Sequence, residues 1–285
     1  MLSWRIGAVT ITRIVEMELP VTYSAEHPVF PEATPQVLRR TPWLYPHFVN
    51  EQDQMLLSIH ALLVDAPGLR LVVDTCVGND RPRSITGRQP LSTPFLEHMA
   101  QAGWSRDSVQ AVICTHLHVD HVGWNTMLEN GRWVPTFPKA RYLIGRRELE
   151  HWRAEGGGEQ QTILSDSVQP VLDAGLVELV EMDRRISPEV RLTPTPGHTP
   201  GHVSVLIESE GESAVITGDM THHPCQIAHP RWSPMFDSDR EASADMRERM
   251  FGEWADKPIL VIGTHYAAPT AGHIRRDGEA FRFDA

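Results

Sequence analysis

Ala111-Val112-Ile113-Cys114-Thr115-His116-Leu117-His118-Val119-Asp120-His121 decides how the rest of the chain is read. Its first half is a β-branched run too short for a helix that ends in small polar residues, the pattern of a buried strand giving way to a loop. Its second half sets three imidazoles and a carboxylate within six residues. In an extended segment alternate side chains share a side, so His116, His118 and Asp120 are expected to face one way while Leu117 and Val119 anchor the other. His121 follows directly and is redirected as the chain turns, with Gly123 relieving the crowding. Charged, these groups would repel one another; neutral, the imidazole lone pairs suit a borderline Lewis acid such as Zn²⁺.

Outward from this stretch, three more apolar runs end in the same way. Leu71-Val72-Val73 leads into Asp74-Thr75, Ala214-Val215-Ile216 into Thr217-Gly218-Asp219, and Leu260-Val261-Ile262 into Gly263-Thr264-His265. Open α/β sheets gather ligands at such strand ends. Pro196-Gly197-His198-Thr199-Pro200-Gly201-His202 is a rigid turn suited to fixing an imidazole. Helices are expected between the strands. Thr93 is read as a cap with Pro94 in the first position, Phe95, Leu96 and Met99 on the buried face, and Gly103 past the end. Further helices are expected over residues 145–152, 163–172 and 240–254. Such alternation is compatible with two sheets between helical layers.

Residues 20–54 behave differently, with several prolines and the aromatics Tyr23, Phe30, Trp43, Tyr45 and Phe48 at no clean period. They are read as an ordered extension packed on the domain surface, with dimerisation or pocket lining as alternatives. Gly156-Gly157-Gly158 lacks a following Lys-Ser/Thr and reads as a flexible loop rather than a phosphate cradle.

At 285 residues without a compositional break, a single domain over 1–285 is expected. A net charge of -11 disfavours a nucleic-acid partner, which draws affinity from clustered Lys and Arg, and points to a small-molecule substrate. Met1 to Glu16 is interrupted by Arg5 and Arg13 and lacks a signal-peptide core, and no segment reaches membrane-spanning length. Cys76, Cys114 and Cys225 are odd in number and far apart, which suits a reducing cytoplasm. No membrane partner is expected.

The series HxHxDH, GHTPGH, GD and a strand-terminal His resembles the metallo-β-lactamase superfamily of hydrolases, over residues 74–283. The resemblance implies an α/β fold of the αββα sandwich type, two mixed sheets between helical layers, with a binuclear metal site at one end. Carried onto the matching positions, it implies His116, His118 and His198 around a first metal, Asp120, His121 and His265 around a second, and Asp219 bridging the two. The two divalent metal ions would be Zn²⁺ first, with Mn, Fe or Co as alternatives, and would turn a bound water into hydroxide near neutral pH. Asp120 is also expected to orient that hydroxide. Asp74 and His202 match positions that support the site by hydrogen bonding.

The segment from Gly218 (TGDMTHHPCQIAHP, FDSDREAS, then GTHYAAPTAGHIRRDGEAFRF) resembles the branch containing methyl parathion hydrolase and several acyl-homoserine-lactone lactonases. That implies hydrolysis of a lactone or carboxylic ester, with phosphotriester hydrolysis as the alternative and a homodimer as the assembly. A β-lactamase, a thioesterase and a non-catalytic binding protein rank lower; all seven ligand positions are filled. His222 stands where lactone-cleaving relatives often place a tyrosine. It is either a catalytic donor to the substrate carbonyl or a loop histidine bordering the pocket. His223 and His229 are expected to be exposed and His273 to fix a loop by hydrogen bonding, while His27, His47, His60, His98 and His151 have no ligand-like context.

Overall fold

Uninterrupted apolar strands of this kind need cover on both faces, and the computed structural model, which describes residues 1–155 and 157–285, provides it. Strands β1 (Ser3–Ile6), β2 (Val9–Val21), β3 (Met55–Ala66), β4 (Leu69–Val73) and β5 (Ala111–Cys114) come first, followed by a separate hairpin of β6 (Thr126–Glu129) and β7 (Arg132–Pro135). With β8 (Arg141–Gly145) and β9 (Val177–Val180) they form a seven-stranded sheet in the order β1-β2-β3-β4-β5-β8-β9. The second sheet is six-stranded and follows chain order: β10 (Val190–Pro194), β11 (Val203–Ser209), β12 (Glu212–Ile216), β13 (Ile259–Ile262), β14 (Ala271–Asp277) and β15 (Ala280–Asp284). Both sheets are mixed. Strands β4, β5, β8 and β9 pair in parallel, as do β12 and β13, so the C-terminal ends of these strands gather at one edge of each sheet.

Side-chain alternation sorts each strand between two cores. Leu71, Val73 and Ile113 point into the space between the sheets, where they join Leu192, Val205, Ile216 and Ile262. Val72, Val112 and Cys114 point the other way, toward Phe95, Met99, Leu149 and Val171. These belong to α2 (Phe95–Gln101), α3 (Arg146–Glu155) and α5 (Gln169–Asp173), which with α4 (Gly158–Ile163) cover the first sheet. The outer face of the second sheet, including Val215 and Val261, is covered by α1 (Pro35–Leu38), α6 (Cys225–Ala228) and α7 (Arg240–Trp254). The fold is an αββα sandwich. No helix among the described residues is long and apolar enough to cross a membrane, and the three cysteines are buried and unpaired.

Several local expectations change. Thr93 does not cap α2: its N–H and hydroxyl both engage the Asn79 side chain, and Pro94 takes the cap position. The helix expected over 163–172 starts earlier, at Gly158, and passes through a wide turn at Leu164–Val168. Pro170 has no N–H for the carbonyl four residues back, and the hydroxyl of Thr126 takes that Asp166 carbonyl instead. Gly158 therefore belongs to a helix, while Gly156 lies outside the described residues. Helix α7 has the expected bounds, because Asp239 caps it by accepting the Ala242 N–H.

Residues 20–54 are more than a surface arm. Strand β2 takes in Pro20 and Val21, and Phe30, Ala33, Leu38, Leu44, Phe48 and Val49 are buried against α7, Tyr266 and Phe283. They lack a period because turns, not one regular element, set the direction of each side chain. Phe48 is 2% exposed and contacts the rings of His223, Tyr266 and Phe283 edge-on. Phe48→Ala is expected to cost about 3 kcal/mol in urea unfolding, as deletion of a core aromatic does. A change below about 0.5 kcal/mol, the size of a surface effect, would make the segment peripheral.

Candidate metal centre

The ligand candidates are delivered by strand ends of both sheets. His116 follows β5, His198 sits in the turn between β10 and β11, Asp219 follows β12 and His265 follows β13. Two glycines permit the close approach. Gly218 has φ +54°, and a Cβ there would lie 2.5 Å from His202 Nε2. At Gly123 a Cβ would fall 1.8 Å from the Val77 carbonyl oxygen, so only glycine lets the chain leave the histidine loop at this point.

The loop itself is not extended. The His121 N–H donates to the His118 carbonyl at 3.1 Å, closing a turn that swings Asp120 away from His116 and His118. The donors therefore converge in two groups, His116, His118, His198 and Asp219 in one, and Asp120, His121 and His265 in the other. Only Leu117 acts as a buried anchor, while Val119 lines the adjacent cavity.

Within the first group, His198 Nε2 lies 2.8 Å from His118 Nδ1 and 3.2 Å from His116 Nε2, and His116 Nε2 lies 3.0 Å from His118 Nδ1. In the second, His265 Nε2 lies 3.2 Å from His121 Nε2. Asp219 sits between the groups. Its Oδ2 is 3.4 Å from His198 Nε2 and 3.2 Å from His121 Nε2, and its Oδ1 is 3.1 Å from His265 Nε2.

Protons on the far sides of the rings show why this arrangement calls for a cation. His121 Nδ1 faces the Asp74 carboxylate at 2.8 Å and His265 Nδ1 faces the Ser58 carbonyl at 3.0 Å. Both oxygens only accept, so these nitrogens carry the proton, and only as a neutral ring, with a cation in place, would each turn an Nε2 lone pair inward. Lone pairs this close repel unless a positive charge lies between them. Burial drives His116, His118 and His198 well below the usual histidine range. Burial opposes charge on His121 and His265 too, but Asp219 outweighs it with help from Asp120, and from Asp74 at His121, raising both. The same negative potential favours a divalent cation. The cluster fits a dimetal site.

Supporting groups complete it. Asp74, in a left-handed turn after β4, also accepts the Thr115 N–H and hydroxyl. His202, lowered to about 4 by burial, accepts the Asp219 N–H through Nε2 at 2.8 Å and faces the Thr195 carbonyl through Nδ1. His222 is buried on the cavity floor, 3.1 Å from Asp219 Oδ2, and neither ring nitrogen has a hydrogen-bond partner among the described residues. His223 is not exposed: it is fully buried, donating from Nε2 to the Phe48 carbonyl and accepting the Cys225 N–H at Nδ1. His229 is half-buried and stacks on Trp232. His273 lies on β14 rather than in a loop. His60 is a core histidine whose Nδ1 is 3.0 Å from the Ser58 hydroxyl.

Beside the centre lies a cavity of about 480 Å³. His118, Asp120, Asp219, His222 and His265 form its floor; Leu19, Val21, Val29, Leu57, Ile59, Val119, Ile163 and Phe236 form its walls. Three polar residues, Ser84, Glu159 and Gln160, join the lining, and all three use polar groups on the protein itself. Glu159 accepts the Ser84 N–H and hydroxyl, and Gln160 donates to the Leu117 carbonyl. No Lys or Arg is among the lining residues.

The fold and donor set can now be set beside known proteins. Residues 55–277 match the family model of the metallo-beta-lactamase superfamily. The chain belongs to that superfamily. An N-acyl homoserine lactonase of Bacillus sp. is 30% identical over 166 residues, 58% of this chain and 59% of that protein. A probable metallo-hydrolase of Mycobacterium tuberculosis is 26% identical over 180 residues, 59% of this chain and 58% of the relative. The chain thus spans under two thirds of these curated relatives. Among solved structures, the hydrolase AbOPH of the beta lactamase superfamily superposes with a TM-score of 0.80 at 22% identity, covering 99% of this chain and 96% of the other. AidC, a dizinc quorum-quenching lactonase in complex with a product, superposes at 0.79 with 18% identity and the same coverage. At these identities the structures establish the shared metallo-beta-lactamase fold.

One residue that sequence reading missed ties the superfamily motifs together. Glu148, in the first turn of α3 and 1% exposed, accepts the Leu117 N–H and Trp152 Nε1–H with one oxygen and the Thr199 hydroxyl and Gly201 N–H with the other. It clamps the His116–His121 loop to the His198 turn. Only the position of a Glu after β8 marked it, and Glu in a first helical turn is ordinary. Glu148→Ala strands two buried N–H groups, with an expected loss of about 2 kcal/mol or more and less bound metal by elemental analysis. An unchanged unfolding midpoint would remove Glu148 from this role.

Proposed function

We propose that this protein is a binuclear metal-dependent hydrolase that opens a neutral lactone, or cleaves a carboxylic ester, carrying an apolar tail. The observation that carries the reading is the cavity: a floor of metal-type donors beneath apolar walls, with no Lys or Arg among the lining residues to hold an anionic tail. The lactonase relatives at 28–30% identity support the same class. A thioester on a phosphorylated carrier would need basic residues that the lining lacks.

In this reading His116, His118 and His198 hold one ion, Asp120, His121 and His265 the other, and Asp219 spans both, a role for which a carboxylate has two separate oxygens. Imidazole and carboxylate donors suit zinc first, with manganese, iron or cobalt able to replace it. Bound there, the ions supply Lewis acidity, lowering the pKa of water and offsetting charge on the carbonyl oxygen. The protein does the rest. Asp120, half-buried at the floor, accepts a hydrogen bond from the attacking water and orients it. His222, whose Nε2 lies 3.1 Å from Asp219 Oδ2 but whose ring makes no hydrogen bond among the described residues, donates to the substrate carbonyl in place of the absent tyrosine hydroxyl. The apolar walls hold the tail and exclude bulk water. The water oxygen bonds to the carbonyl carbon as the ring C–O bond breaks; one water proton ends on the alcohol oxygen, the other passes to solvent, and the opened product carries a carboxylate.

Purified protein is expected to hold close to two transition-metal ions per chain by elemental analysis, and His116→Ala or Asp219→Ala to lose most turnover with the fold retained. A clean value of one ion would make the site mononuclear. A kinetic panel of N-acyl lactones, aryl esters, phosphotriesters, thioesters and β-lactams tests the substrate class. Lactones should give the highest kcat/KM, and a preference for phosphotriesters would select the alternative drawn from the same neutral cavity. His222→Phe should lower kcat on lactones at least tenfold with metal content unchanged, about the contribution of one positioned donor; loss of metal would instead make His222 a ligand.

A further inference from the structure

The outer nitrogen of His198 leads away from the centre into a buried pair of charges. His198 Nδ1 lies 2.8 Å from Asp237 Oδ1, and Arg247 Nη1 lies 3.6 Å from Asp237 Oδ2. The side chains of Asp237 and Arg247 are fully buried. Backbone contacts reinforce the connection, since the Ser238 N–H donates to the His198 carbonyl and the Asp239 N–H to the Gly197 carbonyl.

Arg247 reaches further than Asp237. It donates to the Met220 carbonyl, the Ser243 and Ser233 hydroxyls and the Pro230 carbonyl. One guanidinium therefore pairs by charge with the carboxylate behind His198 and hydrogen-bonds the backbone that follows Asp219. A single-plane fork with five donors can do this; a lysine ammonium cannot.

We propose that Asp237, held in place by Arg247, is the positioning residue for His198 and sets how tightly the group His116, His118 and His198 holds its cation. The proposal rests on the dimetal reading and is independent of the substrate. It pairs the two halves of the centre. Asp74 backs His121 in one group, and Asp237 backs His198 in the other. A carboxylate in that position keeps the proton on Nδ1, holds the ring plane and makes the inward nitrogen a stronger donor.

Zinc(II) titration of the metal-stripped full-length protein against a chromophoric chelator separates the two sites as two steps. Asp237→Ala should weaken one step by about 10- to 100-fold and leave the other within about twofold. Asp237→Asn keeps an acceptor for the Nδ1 proton but loses the charge, so its loss should be smaller and confined to the same step. Asp74→Asn should weaken the opposite step. Urea unfolding of each variant reads the fold separately, and Asp237→Asn, being isosteric, decides the matter if Asp237→Ala does not fold. Unchanged steps in Asp237→Asn and Asp237→Ala would overturn the proposal, as would parallel weakening of both steps. A wild-type protein that takes up no zinc overturns the dimetal reading along with it, a result distinct from two intact steps that ignore Asp237.

Discussion

Mutual repulsion among inward-facing nitrogen lone pairs, 2.8–3.2 Å apart around one buried carboxylate, is the constraint on which the rest of this molecule depends. No chain adopts such a cluster for its own stability, because each ring gives up water and gains a neighbour of the same polarity. The strands answer this by ending at one edge of the sandwich, so that each ligand is anchored by a buried run immediately behind it. The loops answer it with outer partners. Asp74, Ser58, His202 and Glu148 fix rings and backbone from behind.

This division explains what could be read from the sequence. Strand-terminal ligands are local: Ile113 to His116, Ile216 to Asp219 and Ile262 to His265 each show a strand and its donor within a few residues, so they stand out in one dimension. Helix α7 was legible for the same reason, its cap at Asp239 lying directly before it. The supporting residues are not local. Glu148 acts on Leu117 and Gly201, and Asp237 on His198, across separations of 31, 53 and 39 residues, and nothing in their own neighbourhood announces it. His223 was misread as exposed because its burial comes from Phe48, 175 residues earlier. Alternation failed at Asp120 because a single backbone hydrogen bond from His121 to His118 turned the loop, and periodicity carries no information about such a turn.

The cavity shows a similar economy of polar groups. Ser84, Glu159 and Gln160 reach its rim, yet Ser84 and Glu159 bond to each other and Gln160 bonds to the histidine loop. What remains for a bound molecule is apolar wall above and metal-type donors below. Under the proposed reading such a surface would discriminate by length and shape of a tail, and only at the floor by functional group. The Gln160 contact with the Leu117 carbonyl also joins wall and floor mechanically, so a displacement of α4 is felt where the ligands begin.

Residues 22–54 lie outside the strands that carry the ligands, yet Val29 from this segment meets Phe236 at the cavity. The wall therefore combines residues beside the donor loops, such as Val119, Leu57 and Ile59, with one from a segment that lies outside them. A lineage, or an engineer, can reshape the guest space at Val29 alone, leaving the core contacts of that segment and the strand ends that carry the donors in place.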